Sequence, residues 1–304
     1  MIKCFYSNGK LLLTGEYIVL DGASALAIPT KKGQSLEVEE IENKNVIQWT
    51  SYDFLGNRWF ESRFSFDEIK RKQCKGHSVR EVLLHILHIA FTLNPDFLNK
   101  TTGYSIGTYL NFPQDWGLGS SSTLLNNIAE WVRVDAFELL RKTFGGSGYD
   151  IASAQHNTPI LFRLEDQKPV IKKVTLNWDF KDELFFVHLN KKRNSSDAIK
   201  QYRANGIKIN NDVVETVSDL SRAIIRCKSL FEFEKLMQKH EDILATVLQK
   251  PTIKEALFPD FPNVIKSLGA WDGDFVLATG GELEKQYFRN KGYTTVINFS
   301  EMIY

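Results

Sequence analysis

Pro113-Gln114-Asp115-Trp116-Gly117-Leu118-Gly119-Ser120-Ser121-Ser122-Thr123 is the stretch on which the reading of this chain turns. Gly117 and Gly119 permit backbone geometry that a Cβ would resist. The apolar spacing of Leu124, Leu125, Ile128, Trp131 and Val132 that follows is helical. A glycine-rich loop feeding a helix offers an anion two things: N–H groups without intrahelical partners and the positive end of the helix dipole. The serine hydroxyls can cap the helix, bond a phosphate or ligate Mg²⁺. Alone, the stretch fits a capped helix start as well as it fits a phosphate loop.

Downstream, one long helix is expected from about residue 121 to 144, ended by Gly145-Gly146-Ser147-Gly148. Asp150 follows these glycines, 150 − 121 = 29 positions after Ser121, and reads either as an acid on a tight turn near a ligand or as a helix cap. Upstream, Asn8-Gly9-Lys10 opens an apolar strand that leads to Thr14-Gly15-Glu16-Tyr17. Residues 11–28 read as two strand runs about an Asp21-Gly22 turn, and 35–40, 46–52 and 58–64 as further short strands. Val79, Val82, Leu83, Ile86 and Ala90 share a helical face over 78–93, stopped by Asn94-Pro95. Strands are expected at 104–110, 160–164, 169–176 and 184–189. Helices are expected at 195–204, 212–228, 231–249 and 261–268, and closing strands at 275–278 and 294–299. A strand-rich first part and a helix-rich second part make an α+β pattern. The lobe boundary is placed at Lys181-Asp182, giving lobes 1–180 and 181–304.

A length of 304 residues suits about two domains. The 43% hydrophobic and 25% charged content excludes wholesale disorder. The net charge of +1 leaves no basic field for nucleic acid, so any anion must be held by a local site. No apolar run is long enough to span a membrane, and the start lacks the pattern of a signal peptide. Cys4, Cys74 and Cys227 are too scattered for a disulfide framework or a metal knuckle, which points to reduced thiols in the cytoplasm. His85 and His88 share a helical face without an accompanying acid or Cys, which favours packing over metal binding. There is no GxxxxGK[ST] loop and no GxGxxG after a strand.

The order and spacing of the weak pieces resemble the GHMP kinases, the superfamily of galactokinase, homoserine kinase, mevalonate kinase and phosphomevalonate kinase. Gly9-Lys10 through Thr14-Gly15-Glu16-Tyr17-Ile18-Val19-Leu20-Asp21-Gly22 is similar to the first motif. Pro113 with Gly117-Leu118-Gly119-Ser120-Ser121-Ser122 is similar to the second, Ser122 replacing the usual alanine. Gly146-Ser147-Gly148-Tyr149-Asp150-Ile151-Ala152 is similar to the acidic motif, and its GYDIA run looks like a bacterial branch. Gly269-Ala270-Trp271-Asp272-Gly273-Asp274 stands where the third motif has GAGGGD, so Trp271 and Asp272 replace two glycines.

The resemblance implies a two-lobed α+β kinase fold. Its N-terminal lobe would carry the ATP site on a left-handed βαβ-type unit, and its C-terminal lobe would be ferredoxin-like. It implies ATP and Mg²⁺ as cofactors and phosphoryl transfer to a small-molecule hydroxyl. Gly117, Leu118, Gly119, Ser120, Ser121 and Ser122 would wrap the phosphates. Ser121, with Glu138 as a second candidate, would hold Mg²⁺. Asp150 matches the base that accepts the hydroxyl proton, and Lys10 the lysine that pairs with it. Glu16, Lys192, Arg193, Ser195, Ala270 and Trp271 are the candidates on the acceptor side. A basic segment Lys191-Lys192-Arg193-Asn194-Ser195 favours mevalonate, then phosphomevalonate, as acceptor. A sugar or homoserine kinase and a catalytically silent relative are the alternatives. No nucleic acid or membrane partner is expected, and a homodimer is an open alternative to a monomer.

Overall fold

The computed structural model describes residues 1–304 apart from 72–75, 77, 99–101, 192–194, 205–208 and 272. The chain forms two compact units, each assembled from separate stretches. The first comprises Met1–Gly9, Lys32–Gln114 and Gly119–Gln155. Its strands are β1 (Ile2–Leu12) and β2 (Ala25–Ile41), both continuing into the second unit, with β3 (Val46–Tyr52), β4 (Arg58–Ser65) and β5 (Gly103–Leu110). Its helices are α1 (Phe66–Arg71), α2 (Val79–Leu93), α3 (Ser120–Val132), α4 (Ala136–Thr143) and α5 (Tyr149–Ala154).

Strict alternation places β3 in its sheet: Ile47, Trp49 and Ser51 are buried while the residues between them are half-exposed. β3 pairs antiparallel with β4 and parallel with β5, and Gln34–Ile41 of β2 pair antiparallel with β5. Leu36, Ile47, Trp49 and Ile106 from the sheet meet Leu84, Leu87, Leu125, Ile128 and Ile151 from the helices in one core. Ser78 and Glu81 form a reciprocal capping box that starts α2 where the sequence expects a helix.

The helix expected over 121–144 is in fact two helices. Arg133 turns left-handed at φ 59°, ending α3, and the Asn94 side-chain amide donates to the Val132 carbonyl at 2.7 Å. Asp135 then caps α4, its Oδ1 accepting from the Phe137 and Glu138 N–H groups at 2.7 and 3.0 Å. Residues 11–28 are also corrected. Strand is confined to their two ends, and Ile18–Asp21 forms a single 3-10 turn. Ile18 and Val19 are buried like strand residues, so apolar character alone does not separate the two conformations.

The second unit comprises Lys10–Lys31, Asp115–Leu118 and His156–Tyr304. β6 (Ile160–Glu165) and β7 (Lys168–Lys173) form a hairpin about Asp166-Gln167, both left-handed, and Ala25–Ala27 of β2 pair with β6. The chain then makes β8 (Leu184–His188), α6 (Ser195–Ala204), α7 (Asn211–Arg226), α8 (Leu230–Leu248) and α9 (Ile253–Leu257). It ends with β9 (Ile265–Ser267), β10 (Phe275–Thr279), α10 (Glu282–Asn290), β11 (Val296–Asn298) and α11 (Phe299–Met302). The helix expected over 261–268 is replaced by β9, because Pro259 and Pro262 break helical continuity and α9 ends before them. β11-β8-β10-β9 is the order of an all-antiparallel sheet. Fourth, first, third and second in chain order is the ferredoxin-like arrangement, and the β9–β10 hairpin carries Gly269–Asp274. Phe185, Val187, Ile265, Val276 and Phe288 build the core on this sheet.

Candidate active site

Within the second unit, the segment Asp115–Leu118 is fixed on several sides. Lys10, which is nearly buried, donates from its backbone N–H to the Leu118 carbonyl at 3.0 Å and from Nζ to the Gly117 carbonyl at 3.0 Å. Gly117 has φ +64°, and a Cβ built on it would fall 2.2 Å from the Asp274 carboxyl carbon. Asp274, itself left-handed at φ 55°, is held by its N–H donating to the Lys191 carbonyl and its carbonyl accepting from Leu189, both at 2.8 Å. The Gly117→Ala variant therefore meets a backbone penalty and a collision together. It is expected to lose about 2–4 kcal/mol of stability in urea unfolding, and Asp274→Gly should recover the collision part. An unaltered midpoint for Gly117→Ala would contradict the close packing.

Gly119–Ser122 belong to the first unit. Gly119 caps α3 in the left-handed conformation, φ 86°, with no side-chain hydrogen bond to the first turn, and the first helical bond runs from the Thr123 N–H to the Gly119 carbonyl. Ser121 is exposed at the second position of α3, with Ser120 and Ser122 half-exposed beside it. Asp150 holds the matching position on α5, second in the helix after the left-handed cap Gly148, and is half-buried. α3 packs against α5. A buried polar network fixes α3: Asn127 accepts from the Ser7 hydroxyl at 2.7 Å, Thr123 donates to Gln34 at 2.8 Å, and Gln155 Nε2 donates to Asn126 Oδ1 at 2.9 Å.

Glu16, expected on the acceptor side, is enclosed in the second unit, 1% exposed. Its Oε1 meets Lys266 Nζ at 2.6 Å, and Lys266 also pairs with Glu241 Oε1 at 3.0 Å. His240 Nε2 accepts from the Gly15 N–H at 2.9 Å, so its proton sits on Nδ1 and the ring is neutral. Burial pushes the Glu16 carboxyl up to about 7 against the pull of Lys266. Burial likewise raises Glu241 and, with Lys266 nearby, holds His240 well below the ordinary value. Burial opposes the charge on Lys266, but Glu16 and Glu241 carry it above the usual lysine value. Glu16 thus braces the first motif against β9, its carboxylate enclosed by Lys266 and His240. Lys266 was missed by the sequence reading. A lysine inside the run Val264-Ile265-Lys266-Ser267-Leu268 was the available signal, since a cation on a buried strand demands acidic partners.

Trp271 is also a core residue, 1% exposed, in a cluster with Ile18, Ala23, Tyr202, Val217 and Leu244. Its indole N–H donates to the Pro251 carbonyl at 3.2 Å, and its backbone N–H donates to the Tyr17 hydroxyl at 3.1 Å. The tryptophan that replaces a motif glycine therefore fills the helical core of this unit. Ala270 is buried beside it in the chain. Lys192, Arg193 and Asp272 lie outside the described residues, as does the side chain of Ser195. Glu138 sits on α4, 3.9 Å from Lys142 and 4.0 Å from Arg141, and these two cations of its own helix face its carboxylate. Among the described residues no group of three His, Cys, Asp or Glu could hold a metal by itself, and no helix is long and apolar enough to cross a membrane.

No protein-family model matches the chain, and no curated protein matches it in sequence. Solved structures do match. The mevalonate kinase of Methanococcus jannaschii is similar over 97% of this chain and 96% of its own, with a TM-score of 0.69 and 16% identity. The Streptococcus pneumoniae phosphomevalonate kinase in complex with phosphomevalonate and AMPPNP is similar over 95% of each chain, with a TM-score of 0.68 and 16% identity. The Lactococcus lactis galactokinase complexed with galactose covers 95% of this chain and 88% of its own, with a TM-score of 0.65 and 13% identity. At these identities the likeness is one of architecture, and the chain has the fold of the GHMP kinase structures.

Proposed function

We propose that this protein is an ATP- and Mg²⁺-dependent kinase that transfers the γ-phosphoryl group to the hydroxyl of a small molecule, with mevalonate ahead of phosphomevalonate as acceptor. The observation that carries the reading is the start of α3. It has a left-handed glycine cap, which offers no side chain of its own to the N–H groups of the first turn, three serines, and a preceding loop whose Gly117 carbonyl is held by Lys10. Such a turn supplies backbone N–H donors and a positive dipole to phosphate oxygens. The choice of acceptor rests on the basic segment Lys191–Ser195 and its resemblance to the mevalonate branch, since the fold is shared alike with mevalonate kinase, phosphomevalonate kinase and galactokinase structures.

In this reading Gly117–Ser122 bind the ATP phosphates and Lys10 steadies negative charge near them. Asp150 accepts the proton of the attacking hydroxyl, the general-base role that phosphoryl transfer requires alongside positioning. The donor set fits Mg²⁺ that arrives with the nucleotide. Ser121 offers an exposed hydroxyl, while phosphates and water would complete the shell, as is usual for this ion. Mg²⁺ when bound supplies charge neutralisation between the phosphates. Glu138 is the weaker candidate ligand because Arg141 and Lys142 already face it.

The Ser121→Ala variant is expected to raise the Mg²⁺ concentration needed for half-maximal activity about tenfold, for the loss of one oxygen ligand to the ion, with little change in unfolding. A Mg²⁺ dependence equal to wild type would remove Ser121 from the metal site. Calorimetric binding of Mg-AMPPNP tests the reading as a whole, and absence of binding would overturn it. The replacement of two motif glycines by Trp271 and Asp272 motivates the silent relative as second reading; burial of the Trp271 indole in the core gives the first replacement a packing role, and Asp272 lies outside the described residues.

A further inference from the structure

The Asp115–Leu118 segment is gripped by the end of the second unit's sheet. His188 and Phe275 are cross-strand partners at the ends of β8 and β10. His188 is 4% exposed, and its Nε2 lies 3.2 Å from the Asp115 carbonyl oxygen. A carbonyl only accepts, so Nε2 must carry the proton. Trp116 stands edge-on to Phe275, with centroids 5.4 Å apart and planes at 89°, and the Phe275 ring in turn lies 5.1 Å from the His188 ring. One residue before Phe275, Asp274 abuts Gly117. Each of the three residues Asp115, Trp116 and Gly117 is therefore met by one group from this sheet end. The same segment also accepts the two hydrogen bonds of Lys10.

We propose that His188 is a positioning residue. By donating from Nε2 to the Asp115 carbonyl it fixes the segment whose Gly117 carbonyl orients the Lys10 ammonium. The His188 side chain acts through that backbone. Its consequence for nucleotide binding rests on the phosphate-loop reading above, whereas its hold on Lys10 is a property of the fold alone.

The test compares His188→Leu, which keeps bulk and removes the donor, with His188→Gln, which restores an N–H at similar reach. Two quantities are read: Mg-AMPPNP affinity and hydrogen exchange at the Lys10 amide, which donates to Leu118. His188→Leu should weaken the affinity and accelerate Lys10 exchange, each about fivefold to tenfold for one lost hydrogen bond. Exchange at Leu277 in mid-strand should stay as in wild type, and His188→Gln should return both quantities to within about twofold of wild type. Unchanged Lys10 exchange in His188→Leu overturns the proposal, and so does equal loss in both variants. If wild-type protein binds no nucleotide, the phosphate-loop reading fails and Lys10 exchange still decides the anchor. Nitrogen NMR of the wild-type imidazole supplies a readout that needs no variant: the Nε2–H tautomer is expected, and Nδ1–H would overturn the proposal.

Discussion

Asp150→Asn is expected to lower turnover about 10²–10⁴-fold, the usual worth of the positioned general base proposed for it. The amide keeps the volume and shape of the carboxylate and loses its charge and basicity. Mg-ATP affinity should stay within about twofold, since an interaction made only in the transition state affects kcat rather than ground-state binding. Asp150 is the second residue of α5, where a negative charge is favourable, so the same variant should cost about 0.3–1 kcal/mol of stability. That is too little to unfold the protein and mimic inactivity. Steady-state kinetics with a binding isotherm on the same sample separate the outcomes. Unchanged turnover removes Asp150 from the chemistry. A loss of ATP affinity as large as the loss of turnover makes it a nucleotide contact.

Lys266→Met should destabilise the protein by about 3–5 kcal/mol, because it strands two buried carboxylates without their shared cation. Adding Glu16→Gln and Glu241→Gln to Lys266→Met should recover most of that loss, since no buried charge then remains unpaired. A small effect of the single variant in urea unfolding would contradict the ion cluster. The cluster also has a pH signature. The Glu16 carboxyl titrates near 7 in the folded chain against 4.5 ordinarily, so the folded state keeps a proton that the unfolded chain releases. That contribution is whole below pH 4.5 and disappears as pH rises through 7, on the order of 3 kcal/mol in all. His240 works in the opposite sense: buried neutral, it loses stability as pH falls below 6.5. Comparison with Glu16→Gln isolates the first effect. The advantage of wild type over that variant should shrink between pH 4.5 and 7 and level off above.

Much of the local structure was legible. The run 46–52, set off by turn residues, has the observed bounds of β3, and the helical period over 78–93 matches α2 to within one residue. The break at Arg133 was not seen, because neither glycine nor proline marks it. The Asp135-x-x-Glu138 spacing was the only local signal for a new helix start. The strand β9 was misread as helix although Pro259 and Pro262 stood in the way. The motif residues were recognisable as candidates because their order along the chain is itself information. Their supports were not, since Lys266 for Glu16, His188 for Asp115 and Asp274 for Gly117 are set by contacts 250, 73 and 157 residues apart (274 − 117 = 157). Sequence spacing also could not tell that Glu16 and Trp271 are buried. A glutamate in a motif and a tryptophan in a glycine loop both read as ligand contacts until their enclosure is known.

Phosphoryl transfer from ATP to a small-molecule hydroxyl is tested most directly by a coupled assay of ATP consumption, run with Mg²⁺ and with mevalonate, phosphomevalonate, galactose and homoserine side by side. Acceptor-dependent consumption is expected, strongest with mevalonate or phosphomevalonate and cut about 10²–10⁴-fold by Asp150→Asn. ATP left intact with every acceptor, by protein that is folded and binds Mg-AMPPNP, would contradict it.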